Sequence, residues 1–228
     1  MATSECPPLA DRVTKSLLGY GVIAGPCYVL VAAVQAATRD GFDPTRHAVS
    51  QLANGSVGWI QVANFLVTGA MTVAAAVGIG RALRPDPRSR WAAALLTCYG
   101  VGLIAAGLLR ADPSDGFPPG TPSGAGQVSG HGIGHLVAGG LGFLGLVAAG
   151  FVIGAALQAA GSTTWAHCSR LVAGFFAAAF VVMASGTAGA AGMLLFTAAV
   201  VVSWAWLSIT SVLLYRRVGA PATAATAG

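Results

Sequence analysis

Long apolar runs separated by polar segments make up most of this 228-residue chain. Six of the runs are near or above the roughly 20 residues that a helix needs to cross a bilayer. They cover residues 16–37, 57–83, 91–109, 131–157, 165–185 and 190–215. The pattern therefore predicts an all-α integral membrane protein, a bundle of six transmembrane helices.

The polar segments set the boundaries of the predicted membrane domain, residues 16–217. Two long loops are expected within it, at residues 38–56 and 110–130, and the second is rich in Gly and Pro. Residues 1–15 are expected to precede the first span as a cytoplasmic segment. The Ala/Thr/Gly-rich residues 218–228 predict a disordered tail.

Composition excludes a soluble globular domain. Hydrophobic residues make up 55% of the chain and charged residues only 8%, against about a quarter in soluble domains. The mean hydropathy is +0.74. Six spans leave no room for a nucleic-acid module, and the sequence has no Gly-rich phosphate loop ending in Lys-Ser or Lys-Thr. We expect the partners to be the membrane and a lipophilic substrate or lipid, with no nucleic acid.

The placement of charge predicts the orientation in the membrane. Most of the twelve Lys and Arg residues fall on the side of the two chain ends: Arg12, Lys15, Arg81, Arg84, Arg88, Arg90, Arg170, Arg216 and Arg217. Cytoplasmic connections near membrane spans carry an excess of positive charge. Both termini are therefore expected in the cytoplasm, and both long loops on the outer side.

Candidate acid–base groups cluster on that outer side. Asp112 and Asp115 lie in the second long loop, just before His131 and His135 at the start of the fourth span. Desolvation beside an apolar cavity would raise the pKa of such a carboxyl, which makes Asp112 or Asp115 the expected catalytic acid. His131, His135 and His47 of the first loop are the further catalytic candidates. Turn formation by Asp-Pro and Asp-Gly is the alternative interpretation of the two aspartates.

The same two histidines are candidate metal ligands. His131 and His135 are four residues apart, a spacing that puts both on one helix face about 6 Å apart along the axis. Zinc would require a further ligand, which Asp112, Asp115 or His47 could supply. If a metal is bound, zinc is the cofactor expected. The alternative is that one histidine caps the helix and the other bonds a neighbouring helix.

A polar stripe on the second span consists of Gln61, Asn64, Thr68 and Thr72, spaced three, four and four residues apart. Within hydrocarbon such a stripe is expected to face the bundle interior, where it either joins helices or lines a cavity. The residues expected to contact a substrate are Ser50, Trp59, Gln61, Asn64 and Phe117. Phe65, Tyr99 and Phe143 are expected nearby as aromatic walls, whereas the apolar fifth and sixth spans are expected to serve as scaffold.

Four segments resemble the domain-of-unknown-function family numbered 998. They are residues 41–52 (GFDPTRHAVSQL), 58–65 (GWIQVANF), 112–120 (DPSDGFPPG) and 131–135 (HGIGH). The resemblance extends from the first to the sixth span and implies a compact six-helix membrane protein of bacterial or archaeal origin. Together with the Ala/Gly/Arg-rich composition, it implies a multi-pass protein of a bacterial cell membrane. The resemblance implies no particular activity.

Two weaker likenesses concern the activity. Ser50, an Asp and the His-x-x-x-His pair are similar to the ligand set of membrane-embedded zinc hydrolases of the alkaline ceramidase and adiponectin-receptor kind, which have seven spans. Size and architecture are similar to those of small integral-membrane terpene cyclases. We expect an intramembrane enzyme that performs acid–base chemistry on a lipophilic substrate at the outer face, most concretely proton-initiated isoprenoid cyclisation or rearrangement. The alternatives are a zinc-dependent lipid amide or ester hydrolase, and a non-catalytic membrane protein that binds a lipid or a partner.

Overall fold

The computed structural model describes residues 8–187 and 189–220. These residues contain six α-helices long and apolar enough to span a membrane. The helices are α1 (Leu9–Thr38), α2 (Trp59–Ala82), α3 (Ser89–Leu108), α4 (Gly130–Ala159), α5 (Thr163–Ala184) and α6 (Gly189–Arg217). A 3₁₀ helix at Val49–Ala53 lies in the first long loop. The predicted six-helix membrane bundle is confirmed.

Helix boundaries agree with the predicted spans to within two residues except at the start of α1. That helix begins at Leu9, so much of the segment predicted to precede the membrane domain is helical. Charged residues interrupt the apolar run there without disfavouring a helix, and Asp11 in the first turn complements the helix dipole. The predicted disordered tail lies, from residue 221 onwards, outside the described residues.

The helices form a ring in chain order. Each helix packs against the next, and α1 packs against α6 to close the ring. Consecutive helices alternate in direction, so the start of α1 and the end of α6 lie at one end of the bundle, which we call the terminal face. The α1–α2 and α3–α4 connections lie at the opposite end, the loop face. The basic residues assigned to the cytoplasm by the charge count all lie towards the terminal face.

Glycine permits the close helix contacts that hold this ring. Gly69 of α2 and Gly100 of α3 face each other, and a Cβ built at either would lie 2.7 or 2.8 Å from the carbonyl oxygen of the other. A Cβ at Gly25 of α1 would lie 2.8 Å from the carbonyl oxygen of Trp204 in α6. In lipid, helices associate through direct contact rather than water exclusion, so small residues allow the backbones to approach.

Trp204 lies at the centre of the ring and is 1% exposed. Its ring stacks on Tyr28 of α1, with centroids 4.9 Å apart, and packs 5.8 Å from Tyr99 of α3. On the other side of α6, the Trp206 indole N–H donates to Ser169 Oγ of α5 at 2.9 Å. Tyr28 and Tyr99 of this aromatic cluster also line the cavity described next.

Candidate functional site

A cavity of about 80 Å³ lies in the loop-face half of the ring. Its walls come from α1, α2, α3, α4 and α6, and residues 48–50 of the first long loop form its roof. Aromatic rings account for much of the lining: Tyr28, Phe65, Tyr99, Phe143 and Phe196. Ser50, His135 and Thr197 are the polar side chains among these walls besides the two tyrosines.

His135 enters this cavity from the first turns of α4 and is 8% exposed. Its Nδ1 atom lies 2.9 Å from the carbonyl oxygen of Ala106 and 3.0 Å from that of Leu109, at the end of α3. Both partners can only accept, so Nδ1 must carry the proton of the neutral ring. Nε2 then holds a lone pair, and no described residue bonds to it. The ring thus offers one acceptor nitrogen in a cavity whose other polar side chains are hydroxyls.

His131 differs from His135 in its surroundings. It lies one turn earlier on α4 and is exposed, whereas His135 is buried. Among the described residues no three His, Cys, Asp or Glu side chains lie together as a metal site would require. Of the further ligands expected from the sequence, Asp112 bonds Ser129, and the ring of His47 bonds backbone atoms.

Asp112 holds the start of α4. Its carboxylate accepts from the backbone N–H of Ser129 at 2.8 Å and from Ser129 Oγ at 2.5 Å. Ser129 Oγ in turn accepts from the N–H of Gly132, so it is the N-cap of the helix. The hydrogen bonds from Ser129 lower the pKa of Asp112 below its ordinary value. The expected net rise of this pKa is not found, because the two hydrogen bonds from Ser129 outweigh the effect of desolvation.

Asp115 joins the two long loops through its backbone. Its φ of 55° is left-handed, a conformation that Asp tolerates better than most residues. Its carbonyl oxygen accepts from Arg46 Nη2 at 3.0 Å and lies 3.1 Å from Nε2 of His47. Nδ1 of His47 accepts from the N–H of Asp43 at 2.9 Å, so both ring nitrogens have backbone partners. The ring of His47 is thereby tied to the loops and does not line the cavity.

Phe117 is fully buried where these loops meet. Its ring packs 5.3 Å from Phe42 and 5.4 Å from His47, and the guanidinium of Arg39 lies 5.1 Å from its centroid. We call residues 39–58 together with 109–129 the cap. Phe117 was expected to contact a substrate; the structure makes it the core of the cap instead, because the two loops pack on each other.

The predicted polar stripe on α2 is buried as expected, and it does not line the cavity. Its first two residues join α2 to α1, whereas Thr68 and Thr72 donate to carbonyl oxygens of α2 itself. Gln61 Oε1 accepts from Gln35 Nε2 of α1 at 2.8 Å and from Asn64 Nδ2 at 3.3 Å. Asn64 Nδ2 also donates to the carbonyl oxygen of Tyr28 at 3.2 Å. Gln61 and Asn64 therefore hold α1 against α2 beside the cavity.

Of the remaining predicted contacts, Ser50 lines the cavity and Trp59 does not. Trp59 begins α2 and is 67% exposed. The sequence interpretation missed Tyr28 and the contribution of α6, where Phe196 and Thr197 form part of the wall. The expectation that the sixth span is scaffold alone is wrong. The part of α6 that lines the cavity is apolar except for Thr197, which gave little indication of which side faces inward.

The fold and the cavity together define a six-span membrane protein in which a cap of two interlocked loops covers an internal, mainly apolar cavity. The chain matches the family described as protein of unknown function (DUF998) over residues 22–213, and it belongs to that family. No curated protein and no solved structure matches the chain. Two of the segments that carry the family resemblance, residues 41–52 and 112–120, lie in the cap.

Proposed function

We propose that this protein binds a lipophilic molecule whose polar end enters the capped cavity. The position of His135 is the observation that carries the proposal. A hydroxyl or N–H group of the ligand would donate to the lone pair on Nε2, while its apolar part would contact the rings of Phe65 and Phe143. Cavities with apolar walls and a few placed polar groups are typical of small-molecule sites.

The size of the cavity narrows the ligand class. At about 80 Å³ it is smaller than the roughly 300–1,000 Å³ of most ligand pockets. In this state it admits one end of a molecule, such as a hydroxylated ring or head, and the remainder would extend between the helices or into the lipid. A lipid alcohol meets both requirements, since it combines one donor with a long apolar body.

Acid–base chemistry on such a ligand is the second candidate, and the same nitrogen favours it. A neutral imidazole with its lone pair free can act as a general base towards a bound hydroxyl. His135 would then be the base, with no part for Asp112 or Asp115. Isoprenoid cyclisation has less support, because it needs a protonated acid and an enclosure for the folded chain. A zinc hydrolase has less support because the third ligand is not assembled.

Analysis of the lipids that copurify with the protein in mild detergent tests binding. Gly139 lines the cavity, and a Cβ built there would meet no atom within 4 Å, so Gly139→Phe fills the cavity without a backbone clash. Gly174 of α5 is equally unobstructed and lies outside the cavity, which makes Gly174→Phe the matched control. We expect a lipophilic compound in wild type and Gly174→Phe, and its loss in Gly139→Phe. Equal retention by all three proteins would exclude this cavity as the site.

Two substitutions of His135 separate binding from catalysis. His135→Asn keeps an N–H near the carbonyl oxygens of Ala106 and Leu109 and removes Nε2, whereas His135→Gln places an amide near the position of Nε2. If the protein only binds, Gln is expected to retain the ligand better than Asn. If His135 is a base, both variants lose turnover, and the unreacted ligand accumulates in their lipid extracts.

A further inference from the structure

A second concavity, of about 410 Å³, lies between α1 and α6 on the outer surface of the ring, towards the terminal face. We call it the α1–α6 groove. It is lined by Gly19, Val22, Ile23, Val212, Tyr215 and Arg216. It shares no lining residue with the capped cavity, and its walls are apolar except at the end that carries Arg216. Its place on a membrane-spanning surface puts it in contact with lipid chains.

Basic side chains gather at that end of the groove. Lys15 precedes Gly19 by one turn of α1, and its Nζ lies 5.5 Å from the ring centroid of Tyr215. Arg216 approaches from the last turn of α6. Arg12 lies one further turn back along the same stripe of α1.

These charges have no acidic partner in the part of the chain that the structure describes. The ion pair found there joins Arg88 to Asp86 in the α2–α3 turn, and neither Lys15 nor Arg216 takes part in one. Asp11, also in the first turns of α1, lies beside Gly219, where a Cβ would come within 3.2 Å of its carboxylate. An arginine at a helix C-terminus complements the helix dipole, but that does not account for Lys15 on the neighbouring helix or for the groove between them.

We propose that the α1–α6 groove binds an anionic phospholipid from the leaflet at the terminal face. One acyl chain lies along Gly19, Val22 and Val212, and the phosphate lies between Lys15 and Arg216. Basic residues next to membrane-facing clefts attract anionic headgroups. A lipid fits better than a free anion because the charged end continues directly into an apolar groove. A zwitterionic lipid gains less because its own cation offsets the phosphate charge.

Native mass spectrometry of the detergent-purified protein tests the site. The protein is mixed with equal amounts of dioleoylphosphatidylglycerol and dioleoylphosphatidylcholine, and lipid retention is counted. Wild type is expected to retain phosphatidylglycerol preferentially. In Lys15→Gln/Arg216→Gln the affinity for phosphatidylglycerol should fall about 30-fold, since each basic residue near a membrane surface contributes roughly fivefold. Arg84→Gln/Arg90→Gln removes equal charge from the same face and should leave the preference intact.

A second variant tests the groove itself. A Cβ at Gly19 would meet no atom within 4 Å, so Gly19→Leu fills the groove while both cations remain. It should reduce retention of both lipids, and Gly174→Leu should not. The proposal is overturned if Lys15→Gln/Arg216→Gln retains phosphatidylglycerol as wild type does, or if the Arg84/Arg90 control loses it equally. It is also overturned if inorganic phosphate displaces the lipid and Gly19→Leu binds normally, because the site would then take a free anion.

Discussion

The guanidinium of Arg39 lies over the ring of Phe117, 5.1 Å from its centroid, and joins loops from two different helix pairs. Arg39 follows the last residue of α1, whereas Phe117 lies between α3 and α4. The same guanidinium donates to the carbonyl oxygens of Leu52 and Asn54, at 3.0 and 2.6 Å. Arg39 thus joins the two ends of the first loop and also contacts the second loop. These contacts hold the roof of the cavity in place.

Removing the core of the cap should destabilise the protein. Phe117→Ala deletes a fully buried ring, and such truncations typically cost about 3–5 kcal/mol. Thermal unfolding in detergent should show a clear fall in Tm. Trp59→Ala removes a larger but exposed ring, and it should change Tm much less. Comparable shifts for the two variants would contradict the packing described for the cap.

Replacing Arg39 by Lys should loosen the cap while the charge remains. An ammonium cannot reproduce the planar fork that bonds two carbonyl oxygens and stacks on a ring. We expect faster amide hydrogen exchange in residues 39–58 and 109–129, with the helices of the terminal face unchanged. Arg110→Lys, an exposed position in the same cap, should exchange as wild type does. Faster exchange throughout the protein would indicate general destabilisation instead.

The hydrogen bonds between Asp112 and Ser129 at the N-terminus of α4 should make the stability of the protein depend on pH. The pKa of Asp112 is lower in the folded protein than the roughly 3.9 of an unfolded chain. The carboxylate therefore contributes its full stabilisation above the unfolded pKa, and loses it as pH falls through the folded pKa. The difference in Tm between wild type and Asp112→Asn should be constant near neutral pH and shrink below about pH 4.

Ser129→Ala provides the companion measurement. It removes the hydroxyl that bonds Asp112 at 2.5 Å while the backbone N–H remains. Ser129→Ala also removes the N-cap bond to Gly132, which lowers Tm at every pH. The acid-dependent part of its Tm profile, measured against its own value near neutral pH, should fall between those of wild type and Asp112→Asn. Parallel profiles for wild type and Asp112→Asn down to pH 3 would show that this carboxylate does not stabilise the fold.

Removing only one partner of the hydrogen bond between α5 and α6 should destabilise the protein. Ser169→Ala leaves the buried N–H of Trp206 without its partner, a loss of about 1–3 kcal/mol. In Ser169→Ala/Trp206→Phe no N–H is left unpaired. The double variant should therefore lose less unfolding free energy than the two single variants lose together. Additive changes in unfolding free energy would refute the coupling.

The contact between α2 and α3 should tolerate no added methyl group. In Gly100→Ala the new Cβ would lie 2.8 Å from the carbonyl oxygen of Gly69, so the helices must separate. We expect a lower Tm, and little further loss when Gly69→Ala is added, since the first change has already separated the backbones. Gly174→Ala meets no atom within 4 Å and should be neutral or slightly stabilising through higher helix propensity. A neutral Gly100→Ala would rule out the close approach.

The helices could be predicted from the sequence because crossing a bilayer imposes a length and an apolar composition that do not depend on neighbours. The inward side of α2 was also predictable, since Gln61 and Asn64 in an apolar span must face protein. On α6 the inward Phe196 differs little in character from the lipid-facing Leu194 and Leu195, so its contribution to the cavity was not predictable.

The candidate site was predictable in part. Ser50 and His135 were singled out and both line the cavity. The position of Asp112 depends on Ser129 across an irregular loop, and that of Phe117 on packing between loops distant in the chain. Such contacts leave no periodic pattern in the sequence. For that reason Asp112 was expected to be a catalytic acid and Phe117 a substrate contact.

Closure of the ring by α1 and α6 has a consequence for biogenesis. Helices inserted in order from the N-terminus leave Gly25 of α1, which packs on α6, against lipid until the last span arrives. The bonds from Arg46 and His47 to Asp115 join residues 69 and 68 positions apart, so they too must wait for a later hairpin. A nascent chain stalled before α6 would have the cap but an incomplete cavity wall. The surface of α1 that packs on α6 would remain exposed, where membrane quality-control proteases could recognise it.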